Sequence, residues 1–208
     1  MPAPKPLKQL RAQRTHRDLL AAARRVFAER GYEGATIDDI AQAAGCSKGA
    51  YYFHFASKEE ALLALLDDWT AATSRRLKTA AGGSKSPHEA LRRVLEALYS
   101  PETTTGVEPR LLLEFWSQAE RTVEVRRRLA KAQRTWRRLL AEAFRRAQEP
   151  GLAGHDFSAA SAADTALALR EGFVAQACLA APTRASARER AAAAAALFTN
   201  PRALRRAG

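Results

Sequence analysis

The 208-residue chain is 47% hydrophobic and 27% charged, enough to bury a core in one domain or in one plus a small module, and its formal charge is +12. That excess of cations favours a polyanionic partner, nucleic acid or an anionic membrane surface, without choosing between them. Two cysteines, Cys46 and Cys178, are too few for a disulfide framework or a four-ligand zinc site, and no apolar run approaches about 18 residues, so a cytoplasmic protein is expected and a membrane span is not.

Helical spacing repeats from Thr15 nearly to the end and no stretch alternates as a strand does, so the expected class is all-α. Residues 1–14, rich in Pro, Lys and Arg, read as a flexible basic arm. Leu19, Leu20, Ala23, Val26 and Phe27 share one face of a first helix, opened by Thr15 and Asp18 as a capping box and stopped at Gly31. Thr36 caps a second helix whose first turn carries Asp38 and Asp39, acids suited to the positive dipole end, and Gly45 ends it. Ser47 caps a short third helix. Ser57 with Glu60 opens a long fourth helix with Leu62, Leu65, Leu66 and Trp69 on one stripe.

Gly and Pro in "AAGGSKSPHEA" end that helix near Ala80 and start another at about Pro87 to Tyr99. From Pro109 two helices follow with a joint near Thr122; the second buries Leu129, Ala132, Trp136, Leu139, Leu140 and Phe144 and keeps its arginines wet. Two Ala-rich helices, roughly Ser158 to Ala181 and Arg184 to Phe198, close the chain before a frayed tail at 200–208.

Three short helices with a Gly-containing turn between the second and third form the pattern of a helix-turn-helix, whose third helix enters the major groove. On that third helix Ala50, Tyr51 and Phe55 can face Ile40, Phe27 and Val26, leaving Ser47, Lys48, Gly49, Tyr52 and His54 outward. Outward hydroxyl, imidazole and ammonium groups at a helix N-terminus are what phosphate oxygens accept from, and Gly49 removes bulk where backbone approaches DNA. Tyr52 and His54 each keep a second reading, as packing or capping side chains. Cys46 fills a turn position that wants a small residue.

The run "GATIDDIAQAAGCSKGAYYFHFASKEEALLALL" resembles the DNA-binding region of TetR-family transcriptional regulators over about Thr15 to Leu66; the rest is similar only in helix pattern and length. The resemblance implies DNA contacts from Thr36, Ser47, Lys48, Tyr52, His54 and Lys58, mostly to phosphate, with Gly49 and Ala50 nearest the bases. Phe53 stands where His or Tyr is common, and Tyr51 where Leu or Val is, which leaves the operator sequence open. The implied organisation is a DNA-binding unit at 15–56 and an effector-binding and dimerisation body at 57–199.

The same resemblance implies a small-molecule effector of unknown identity and a homodimer through the last two helices. Small residues there allow close approach, with Ala168, Ala175, Ala194 and Leu197 as candidate interface positions. Leu66, Trp69, Leu112, Trp116, Trp136, Phe144 and Phe173 either line an effector cavity or form plain core. Glu171, polar on an apolar helix, either reads an effector's amine or hydroxyl or pairs with an arginine. The expected protein is therefore a ligand-responsive repressor that binds a near-palindromic duplex DNA operator as a dimer and is released by its effector. No cofactor or metal is expected.

Two rivals come from other classes. An all-helical enzyme lacks support, because HExxH, GxSxG and a phosphate loop are all missing and the four histidines have no nearby acid pattern for a metal. A membrane-surface protein would use the arginines between Arg126 and Arg146, yet the stripe behind them carries Trp136 and Phe144, which a helical bundle buries.

Overall fold

In the computed structural model the described residues are 7–84, 86–100, 107–147, 158–179 and 186–199, and they are helical with no strand among them. Nine helices are described: α1 (Leu7–Gly34), α2 (Ile37–Ala43), α3 (Lys48–His54), α4 (Lys58–Ala81), α5 (Pro87–Leu98), α6 (Val107–Arg121), α7 (Val123–Ala147), α8 (Ala159–Cys178) and α9 (Ala187–Thr199). The expected all-α class holds. The tail at 200–208 lies outside the described residues.

Two features of α1 differ from the sequence reading. Helix already runs through residues 7–14, where a flexible arm is expected, because beyond Pro6 nothing there breaks a helix. Thr15 therefore sits inside the helix, its hydroxyl donating to the Arg11 carbonyl at 3.1 Å rather than capping. At the other end Gly31 adopts φ 72°, a left-handed conformation, and one more turn follows to Gly34.

The head consists of α1, α2 and α3 around Leu19, Ala22, Ala23, Val26, Phe27, Ile40, Tyr51 and Phe55. The expected caps at Thr36, Ser47 and Ser57 are present. Thr36 accepts from the Asp39 N–H while Asp39 accepts from the Thr36 N–H, a reciprocal box that satisfies two helix-end donors. Between α2 and α3 the Cys46 N–H reaches the Ala41 carbonyl and the Gly45 N–H the Gln42 carbonyl, both at 3.0 Å, with Gly45 at φ 67°. That pair of bonds is a Schellman stop, and it fixes the angle at which α3 leaves α2.

The body stacks α4 to α9 around one core. Trp69 on α4 meets Phe115 on α6 at 5.8 Å and Trp136 on α7 at 5.1 Å between ring centroids. Both indoles are buried, and so is Arg170 of α8, whose guanidinium lies 5.4 Å from the Trp69 ring and 5.9 Å from Trp136. Tyr99 donates to the Ala166 carbonyl at 3.1 Å, joining α5 to α8, and Phe144 packs on Phe198 at 5.4 Å, joining α7 to α9.

Head and body meet at residues 31–35. Glu114 of α6 accepts the Tyr32 N–H at 2.9 Å, the donor freed by the break at Gly31. Gln118 and Arg121, also on α6, reach the Glu33 carboxylate at 3.3 and 3.1 Å. From α4, Lys58 donates to the Tyr32 carbonyl at 2.6 Å and the Ala35 carbonyl at 2.9 Å, with its ammonium 4.4 Å above the Tyr32 ring.

Removing the side chain that fills the centre of the body should show how much that contact carries. Phe115→Ala should destabilise by about 3–5 kcal/mol in urea unfolding, the range for a buried aromatic truncated to a cavity. Lys58→Met should cost about 1.5–3 kcal/mol, because the carbonyls at the end of α1 lose a charged donor; an unchanged denaturation midpoint would show that the ammonium has no structural role.

Candidate nucleic-acid interface and sensor body

The short helix α3 sorts its side chains by face. Tyr51 and Phe55 are buried, and the Tyr51 hydroxyl donates to the Ser57 carbonyl at 3.1 Å, so the recognition helix is tied directly to the start of α4. Burial pushes the Tyr51 phenol well above its ordinary value, so it stays a neutral donor. Ser47, Lys48, Gly49 and Tyr52 are exposed, and Ala50 is half-buried. The Ser47 hydroxyl accepts from the Ala50 N–H at 3.1 Å, which uses its lone pair and leaves its hydrogen free to donate.

The basic groups are partly engaged. Lys48 pairs with Asp38 of α2 at 2.9 Å, and both side chains are mostly exposed, so an incoming phosphate competes with a weak surface pair. The resemblance implies a phosphate contact for Lys58; its ammonium is instead turned inward onto the end of α1. Thr36 is likewise occupied as a cap, donating to Asp39 at 2.7 Å. His54 is half-buried, its ring 5.6 Å from His16 of α1, which in turn lies 4.8 Å from Phe55. Burial first, then the neighbouring His16, hold the His54 imidazole below its ordinary value.

Phe53 is absent from the site residues expected from sequence, yet it is 78% exposed beside His54 at the end of α3. It lines a shallow groove with Gln13, His16 and Arg17 of α1. The signal in the sequence is its place between an outward Tyr52 and a half-buried His54, at a helical angle that Tyr51 and Phe55 do not share.

In the body, Leu66, Trp69, Leu112, Trp136 and Phe144 are core side chains packed on one another rather than the rim of an open cleft. Trp116 and Phe173 are half-buried, Phe173 edge-on to Tyr99 at 5.8 Å. Glu171 accepts from Gln133 of α7 at 3.1 Å, and burial raises its carboxyl above the ordinary range. The neighbouring Arg170 is the more buried charge, and nothing in the helix period sets an arginine apart as inward when its neighbours are Leu and Glu. Ala168 and Ala175 are exposed on α8, and Leu197 is 42% exposed on α9. Ala194 is 2% exposed inside its own subunit, so it is excluded from the candidate interface: its helix turns that face toward α5.

The pair of imidazoles gives the head a pH dependence with a definite sign. The folded state favours neutral His54, whereas the unfolded chain takes up its proton near the ordinary value of 6.5, so stability falls as pH drops through that value and is flat above it. Denaturation series between about pH 8 and about pH 5.5 should show this loss, and His54→Gln should flatten it. An unaltered pH profile in the variant would assign the dependence to other groups.

Comparison with known proteins follows the division into head and body. Residues 19–65 match the profile of bacterial regulatory proteins of the TetR family, and residues 87–199, more than half of the chain, match that of the C-terminal domain of BetI-type transcriptional repressors. The A-factor receptor protein of Streptomyces griseus is 48% identical over 64 residues, 31% of this chain and 23% of that protein. The chain thus spans about a quarter of the length of that curated relative. Over nearly whole chains, a candidate transcriptional regulator from Saccharomonospora viridis, solved in complex with choline, is 25% identical with a TM-score of 0.77, covering 89% of this chain and 95% of that one. PfmR from Thermus thermophilus is 27% identical with a TM-score of 0.73, covering 87% and 96%. With a helix-turn-helix head, a helical body and both profiles in register along it, the chain belongs to the TetR family of transcriptional regulators.

Proposed function

We propose that this protein is a dimeric repressor that places α3 of each subunit in the major groove of a near-palindromic operator and is released by a small-molecule effector bound in the body. The observation that carries the reading is the two-faced recognition helix: Tyr51 and Phe55 hold it to the core while Ser47, Lys48, Gly49 and Tyr52 stand outward on one surface. The match of the body to BetI-type repressors supports the sign of regulation. The relatives are regulators, which favours this reading over an enzyme. Among the described residues no helix is long and apolar enough to cross a membrane.

The proposed dimer surface combines the exposed small-residue face of α8, Ala168 and Ala175, with the exposed Leu197 of α9. Two recognition helices then read half-sites about 34–36 Å apart, one turn of duplex. Effector binding would change that separation through the two elements that grip the end of α1, α4 and α6.

Gel shift against the DNA flanking its coding region tests the function, with retention of one specific duplex at moderate salt as the expected result and no preference over random duplex as the overturning one. Ala168→Glu with Ala175→Glu should convert a dimer mass to a monomer mass at micromolar concentration; a monomeric unaltered protein would end the dimer reading. Lys48→Ala should reduce the salt slope of operator binding by about one per subunit with sequence preference intact. Asp38→Asn, which frees Lys48, should tighten binding to all duplexes alike.

A further inference from the structure

A groove of about 700 Å³ runs between α4 and α7 on the body surface. Its α7 wall carries Arg127, Arg128, Lys131 and Arg134, against two carboxylates, Asp67 on α4 and Glu124 on α7. Glu124 is shared: Arg127 reaches it at 3.0 Å and Arg128 at 2.7 Å, and these guanidinium bonds hold its carboxyl down at about 2. Arg128 then crosses the groove to Asp67, an ion pair that ties the helix carrying the head to α7. Lys131 and Arg134, both exposed, form no ion pair among the described residues.

A cationic ligand has no place here. The groove wall is itself cationic, and behind it Trp136, which donates to the groove-lining Ser74 at 3.0 Å, has Arg170 over its ring. The faces of Trp69 and Trp136 that could attract an ammonium are already met by that guanidinium. An anion meets the reverse: forked guanidinium donors that match the planar geometry of a carboxylate or phosphate, and an ammonium beside them.

We propose that the α4–α7 groove binds a small oxyanion carrying two or more negative charges, which takes Arg128 from Asp67 and so removes the outer ion pair between α4 and α7 while their buried Trp69–Trp136 contact stays. The displaced pair is exposed, with side chains 33% and 58% accessible, and pairs of that kind exchange readily for a polyvalent competitor. The proposal rests on the regulator reading above, since α4 leads straight into the recognition helix through Ser57 and Tyr51.

The test uses the full-length protein. Citrate and pyrophosphate, a polycarboxylate and a phosphate, are titrated by calorimetry at ionic strength matched with chloride. One of the two should bind one per chain, and the arm that responds names the oxyanion class. Arg128→Gln with Lys131→Gln should weaken that binding about tenfold or more, while Asp67→Asn, which removes the internal competitor, should strengthen it several-fold; melting curves of the variants establish that they fold. Operator affinity in gel shift should fall a few-fold with the bound anion, up to about fivefold for a surface pair of this kind, and should already be reduced in Asp67→Asn without it. Failure of both anions to bind beyond matched chloride, binding that survives the double substitution, or displacement of the anion by random duplex DNA would overturn the site. Anion binding that leaves operator affinity unchanged would overturn the coupling of the groove to α4. A protein that binds the anion but no duplex DNA would sink the regulator reading, an outcome separate from the titration.

Discussion

The five residues from Gly31 to Ala35 are held from two helices of the body at once. Helix α1 breaks at Gly31, and the break exposes an N–H on one side and carbonyls on the other that would be unsatisfied at a buried helix end. Glu114 takes the N–H and Lys58 takes the carbonyls. Because the two partners come from different body helices, the orientation of the head is over-determined. α1 packs on α6 and on α4. A change in the angle between α4 and α6 must therefore be transmitted to the same short turn.

The body's interior is unusual in keeping a cation. Arg170 lies among aromatic rings on α4 and α7, and Thr73 of α4 and Gln118 of α6 are the other polar side chains buried in the described body. A guanidinium suits this position better than an ammonium, since its flat, weakly hydrated surface stacks on indole. The same rings that could attract an organic cation are thus part of the protein's own packing.

Much of the head was legible in the sequence because its signals are local. Caps at Thr36, Ser47 and Ser57, the stop at Gly45 and the split of Tyr51 and Phe55 from Tyr52 depend on neighbours within four residues. The helices of the body were legible for the same reason, to within a few residues at their ends. What the sequence hid is the pairing between distant segments. Nothing near Lys58 tells that it caps a helix 23 residues upstream, and the periodicity of α9 does not say that Ala194 turns into its own subunit while Leu197 turns out. The helical start of α1 was hidden for a different reason: the prolines up to Pro6 and the cations around them read as a solvated arm, though the residues beyond Pro6 are good helix formers.

The interlocked junction also bears on how the chain comes apart. A head held by ends of α1 that are finished only by Glu114 and Lys58 has no complete boundary of its own, and its three helices bury few side chains compared with the body. Small assemblies of this size are marginal alone. The two parts are therefore one cooperative folding unit, and a chain trimmed to the first 56 residues would be a fraying fragment, not a smaller DNA-binding protein. On the proposed reading, proteolysis in the body would erase DNA binding as surely as cleavage of α3.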